Sequence, residues 1–214
     1  NLREPAQKAI GFAERAQSSL GGWRYVPGQD ADVSVSGWFL MALISAKMAG
    51  LEVNPSVLER LDRYLDSVQH EGGALYGYRQ GSPPSLSMTA EALLCRQYLG
   101  WSRDDSRMLR GAEAVLTATI DFSSRERSVY YWYYATQMLH HLGGRPWETW
   151  NAVMREALPA AQLQQGREAG SWDPSGDPHA IAGGRLYTTC LSLWCLQVYY
   201  RHLPLYDLAT ADRR

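Results

Sequence analysis

Two kinds of apolar segment alternate along the chain. In the first kind, apolar residues recur three and four apart and charges fall elsewhere, which predicts a helix buried on one side. Ala6, Ala9, Ile10 and Ala13 form such a face, with Lys8, Glu14 and Arg15 off it. Leu58, Leu61, Leu65 and Val68 form the second, Leu109, Ala112, Val115 and Leu116 the third, and Trp147, Trp150, Met154 and Leu158 the fourth. In the second kind there is almost no charge. Val35 to Ala46, Tyr130 to Leu142 and Leu186 to Tyr200 contain no Asp, Glu, Lys or Arg, and Met88 to Cys95 contains only Glu91. A helix apolar on all sides is expected to be buried on all sides.

The alternation has an internal period. A Gln slot after each amphipathic segment recurs at Gln17, Gln69, Ile120 and Gln162, and Gly50, Gly100 and Gly143 each close an uncharged segment. Steps of about fifty residues and less read as four helical hairpins. The fold class expected is all-α: an α/α toroid or open arc of about four hairpins, uncharged helices inside and amphipathic ones outside. One domain spans 1–203, and 204–214 form a tail. Asn54-Pro55 supplies an N-cap and a proline at the first helical position, and Pro5 suits the same place. Pro159 should kink or end its helix.

Composition narrows the partners. The 214 residues carry a formal charge of −1 without a basic cluster, so no nucleic-acid partner is expected. The longest uncharged run is too short to span a membrane, which predicts a soluble chain whose compartment is not legible. The chain opens at Asn1 without a methionine, which fits a processed or excised part of something longer. Cys95, Cys190 and Cys195 sit in apolar segments and read as small buried residues. Thirteen tyrosines and eight tryptophans stand against three phenylalanines, a skew that suits pocket walls as well as cores.

Gln17-x-x-x-Gly21-Gly22-Trp23 resembles the QW motif of squalene–hopene and oxidosqualene cyclases. Gln162, followed by a longer gap to Gly170-Ser171-Trp172, resembles a second copy. "YLDSVQHEGGAL" resembles a degenerate one with Leu75 where Trp is expected, and the third repeat retains only "RGAEAVL". The resemblance covers most of the chain and points to the prenyltransferase/squalene-cyclase superfamily. It implies that Gln17, Trp23, Gln162 and Trp172 are structural braces. Each Gln amide is expected to satisfy backbone groups at a helix end while the Trp packs on it. It also implies that the loops before the inner helices open at the functional end, bringing Arg24, Tyr25, Asp30, Asp32, Tyr76, Tyr78, Asp173, His179 and Arg185 there.

Three chemistries are tested against those residues. The superfamily's cyclases protonate substrate from an Asp-x-Asp-Asp motif. Here Asp30-Ala31-Asp32-Val33 lacks the last carboxylate, and an Asp just before a helix also reads as a cap. Asp32 is the better general-acid candidate, with Asp30 beside it. Zinc-dependent prenyl transfer needs an Asp-x-Cys pair and a His, but Asp173 is followed by Pro174 and Ser175, and His140-His141 face different ways. No metal and no cofactor is expected. Glycan chemistry would want paired carboxylates, for which Glu91 and Asp32 are the candidates. Arg96, Arg185 or a tyrosine hydroxyl would otherwise answer Glu91. A ligand surface is expected from Tyr25, Trp38, Tyr78, Tyr130, Trp132, Tyr133, Tyr134, Arg185 and Tyr187. The leading expectation is a non-catalytic or degenerate domain that binds a protein partner or an apolar, isoprenoid-like ligand. The alternative is an enzyme using Asp32 or Glu91.

Overall fold

Four helix starts in this chain are written by single polar side chains, as the computed structural model, which describes residues 2–124 and 127–201, shows. The elements run α1 (Arg3–Arg15), α2 (Val33–Met48), α3 (Pro55–Ser67), β1 (Gln69–His70), a 3₁₀ turn (Glu71–Gly73), β2 (Leu75–Tyr76), α4 (Leu86–Tyr98), α5 (Ser106–Val115), α6 (Val129–Leu142), α7 (Gly144–Ala161), α8 (Ala180–Leu196) and α9 (Val198–Arg201). The described fold is therefore mainly helical, with one antiparallel two-stranded ribbon pairing Gln69 with Tyr76. The expected tail, 204–214, lies outside the described residues.

Asp32, Asn54, Ser85 and Ser128 each turn a side-chain oxygen onto a backbone N–H of the first turn of α2, α3, α4 and α6. Pro5 is the third residue of α1 rather than the first; it still sits where an N–H has no helical partner. Two helices end alike. Gly50 and Gly100 adopt positive φ, so that Gly50 N–H reaches Lys47 O and Leu51 N–H reaches Ala46 O, while Gly100 and Trp101 do the same to Gln97 and Arg96. This is the glycine-terminated cap that satisfies the last carbonyls of a helix. Gly143, also at positive φ, lies at the junction of α6 and α7. Pro159 falls in the last turn of α7, and the helix stops two residues later.

The chain divides into two compact units, Asn1–Gly111 and Ala112–Arg214. In the first, α2 packs on α4, and α3 buries Val57, Leu61, Tyr64 and Leu65 from one face. In the second, α6 packs on α7 and α8, and α7 contributes the stripe Trp150, Met154 and Leu158. The charge-free helices are not equivalent. In α4 every residue from Met88 to Gln97 is buried, and in α6 all but Tyr130 and His140 are. In α2 and α8 only one stripe is buried, and apolar residues face outward: Trp38 and Met48 on α2, Leu186 and Leu193 on α8. The expectation of all-round burial holds for the second and third uncharged helices and fails for the first and last.

The two motif copies fold alike. After α1 the Gln17 N–H shifts to the Glu14 carbonyl, leaving the Ala13 carbonyl without its helical donor; Trp23 Nε1 takes it at 2.8 Å. After α7 the Gln162 N–H shifts to the Pro159 carbonyl, and Trp172 Nε1 takes the Leu158 oxygen at 2.8 Å. The Gln amides hold the loop instead, Gln17 Nε2 on Gly21 O at 2.7 Å and Gln162 Nε2 on Gly170 O at 2.9 Å. The roles expected of the pair are thus exchanged: the indole satisfies the helix end and the amide pins the loop. Gln17 also binds Val57 O and accepts from Arg60 Nε, tying α1 to α3. A Cβ on Gly21 would overlap the Arg60 carbonyl and one on Gly22 would lie 2.6 Å from Ser36 Oγ, so the loop can pass only as glycine.

The degenerate repeat is displaced by one residue. Trp23 N–H donates to Ser36 Oγ, and Asp32 N–H donates to Trp23 O. Tyr76 repeats both contacts, with Thr89 Oγ1 and Ser85 N–H at the same chain separations. Tyr76 is fully buried while Leu75 is not, so Tyr76, not Leu75, holds the Trp position. Its hydroxyl accepts from Arg96 Nε at 3.1 Å. In the third repeat the Tyr131 hydroxyl donates to the Val115 carbonyl at the end of α5, doing with a phenol what the indoles do elsewhere.

Candidate functional site

The Asp-x-Asp stretch folds as a clamp on the start of α2. Asp32 is fully buried and its Oδ1 accepts from Val35 N–H at 2.7 Å. Its Oδ2 accepts from the Tyr78 hydroxyl at 2.8 Å and from Arg24 Nε at 3.2 Å. Asp30 accepts from Arg24 Nη1 at 2.7 Å and from Ala31 N–H at 2.8 Å, with Arg79 Nη1 at 3.6 Å. One guanidinium therefore bridges both carboxylates and closes the loop 24–32. The Ala31 N–H, then the Arg24 guanidinium, hold the Asp30 carboxyl below its usual range. Burial first, and then the bond to Asp32, push the Tyr78 phenol up. Tyr25 is three-quarters exposed, with Arg24 over its ring at 5.5 Å.

Asp32 meets the cap reading in its contact with Val35 N–H, and its other oxygen is held by Tyr78 and Arg24. Its oxygens are occupied as acceptors by an amide, a phenol and a guanidinium, the partners of a carboxylate that organises a loop. Glu91 lies in the middle of α4, completely buried, against Gly37 of α2, where a Cβ would overlap its Oε1. Arg96, expected to answer it, turns to α3 instead. Its Nη1 and Nη2 reach Asp62 and Asp66 at 2.5 Å each, and the Arg96 and Arg107 guanidiniums both lie over the Trp101 ring. Trp38 is partly exposed on α2.

In the second unit the aromatic run is mostly core. Tyr131, Trp132, Tyr133 and Tyr134 are buried, and only Tyr130 keeps partial exposure. Trp132 packs on Phe122 with centroids 4.9 Å apart, Tyr134 on Tyr130 and on Tyr133 at 4.9 Å, and Tyr133 on Trp194 at 5.5 Å. Arg185 braces the second motif loop: it pairs with Glu168 at 2.7 Å and donates to Trp172 O at 3.1 Å. Tyr187 is half-buried, and burial, then the Asp177 charge, raise its phenol. An open cleft of about 660 Å³ is lined by Leu163, Gln165, Gly166, Arg167 and Glu168, none of them an expected ligand residue.

Two buried charges escaped the sequence reading. Asp177 is 3% exposed; its Oδ1 accepts from His179 N–H and its Oδ2 from Val129 N–H, both at 2.8 Å, so it ties the loop before α8 to the start of α6. Arg127 is 8% exposed and donates to Phe122 O at 2.7 Å and Asp173 O at 2.8 Å. Asp177-Pro178 carries a turn signal, but nothing local shows that the carboxylate serves a helix 48 residues away.

Among the described residues no group of three or more His, Cys, Asp or Glu side chains is placed to hold a metal ion, and no helix is long and apolar enough to cross a membrane. Compared with family models and with curated proteins, the sequence matches none.

Proposed function

We propose that the chain is a non-catalytic helical-hairpin domain of squalene-cyclase-like type, its uncharged helices forming the inner layer of an α/α arc, and that it works by binding a protein partner. The observation that carries this is Asp32. The residue best suited by sequence to act as general acid is fully buried and accepts hydrogen bonds from Val35, Tyr78 and Arg24. Proton donation to an alkene needs the opposite, a carboxylic acid held protonated and aimed at substrate. Glu91 is wedged between α2 and α4, and four rings of the aromatic run pack against neighbouring side chains, which favours a partner protein over an apolar small molecule.

The experiment is native mass spectrometry of freshly purified protein, paired with incubation with squalene, oxidosqualene and polyprenyl diphosphates. The expected result is no added small-molecule mass and no product. A co-purified isoprenoid, or a product lost in Asp32→Asn, would overturn the proposal.

A further inference from the structure

α8 and the short α9 that continues it present one apolar stripe to solvent. On a helix of 3.6 residues per turn, Leu186, Cys190, Leu193, Gln197 and Tyr200 share a face. Thr188, Leu191, Ser192, Cys195 and Val198 share the opposite one. The second set is buried. Of the first, Leu186 is 76% exposed, Leu193 38% and Tyr200 90%.

We infer that this stripe is the contact surface for a second copy of the chain, in an antiparallel pairing about a two-fold axis at Leu193. Three features select that occupant. Leu186 and Tyr200 are each seven residues from Leu193, so an antiparallel pair centred there sets Leu186 of one copy against Tyr200 of the other. A two-fold contact brings each residue near its own equivalents or those of its neighbours, so any charge in it tends to meet like charge. From Leu186 to Tyr200 there is none. At roughly 200 Å² of surface for a large side chain, the three leave on the order of 400 Å² of apolar area in one stripe. That is about half of what each partner of a standard interface buries. Half-buried Cys190 and exposed Gln197 on the stripe enlarge the surface. This inference does not depend on the proposed function.

Sedimentation velocity of the full chain over a range of micromolar concentrations tests it. The mass should rise toward twice 24.0 kDa with concentration. Leu186→Lys and Tyr200→Glu should each weaken association at least tenfold, and both residues are exposed enough for folding to survive. Combining them should restore it, because the new lysine meets the new glutamate of the other copy at both ends. Met48→Glu, on the exposed side of α2, should change nothing. A monomer at every concentration, association indifferent to the single substitutions, or no recovery in the double variant would overturn the pairing. So would a full chain that dimerises only after residues 202–214 are removed, which would assign the stripe to that segment.

Discussion

Trp23 Nε1 donates to the Ala13 carbonyl at 2.8 Å, the one helix-end oxygen that the shifted Gln17 N–H has abandoned. Trp172 stands in the same relation to Leu158 in the other unit. Trp23→Phe keeps an aromatic ring against Phe39 but removes the Nε1 donor and part of the buried ring volume. It should cost about 1–3 kcal/mol, the penalty of a buried carbonyl left unpaired. Urea denaturation should show a lower midpoint with an unchanged slope. A neutral substitution would show that the Nε1 bond to Ala13 does not stabilise the helix end.

Asp32 and Tyr78 should behave as a structural pair. Tyr78→Phe deletes a donor to the buried carboxylate and should cost about 1–3 kcal/mol. Asp32→Asn keeps an N-cap oxygen but loses the charge facing Arg24, so the protein should fold with reduced stability. Chemical denaturation of the two single variants and the double should reveal a coupling energy, because the residues share one contact. Strict additivity would show that the contact contributes nothing.

Gly37 and Glu91 test how tightly α2 and α4 approach. Gly37→Ala places a methyl group within the Glu91 carboxylate and should cost about 1–3 kcal/mol by overpacking. Glu91→Ala removes the obstacle, so the double variant should lose less than the two single losses combined. Thermal melts of the three variants decide this; simple additivity would place the strain elsewhere.

Acid should weaken the first unit through Asp105. Its carboxylate is held down to about 2 by the Arg107 side chain, at 3.0 and 2.6 Å, and by backbone N–H groups. The unfolded carboxyl titrates near 4, so below about pH 5 the unfolded chain binds more protons and stability falls as pH falls. The contribution is whole above that range and is lost on the way to pH 2. Its size is modest because the pair stays partly open to solvent. Asp105→Asn should flatten the fall of stability between pH 5 and 2. An unchanged profile would show that the pair does not stabilise the fold.

Much of this architecture is legible locally. Asn54-Pro55, Gly50 and Gly100 mark helix ends because caps are satisfied within a few residues of chain. The alternation of amphipathic and charge-free segments gives the order of the helices, since the period of apolar side chains is a property of the helix itself. The Gln–Trp spacing marks both braces, but not which side chain serves the helix end. That depended on which carbonyl the turn leaves unpaired. The same limit hid Tyr76: a one-residue insertion moved the aromatic anchor past Leu75, and only its pairing with Thr89 and Ser85 identifies it.

By itself, the chain's pattern determined the order of the helical segments and the ends marked by Asn54-Pro55, Gly50 and Gly100, because capping and periodicity act over one or two turns. Tertiary structure decided the rest. It made Asp32 an acceptor for Tyr78, set Glu91 against Gly37, joined Asp177 to Val129, and left α2 and α8 covered on one side while α4 and α6 were buried. Those outcomes depend on groups brought together from distant positions, and the free energy of a buried charge or an exposed leucine is set by what stands opposite it.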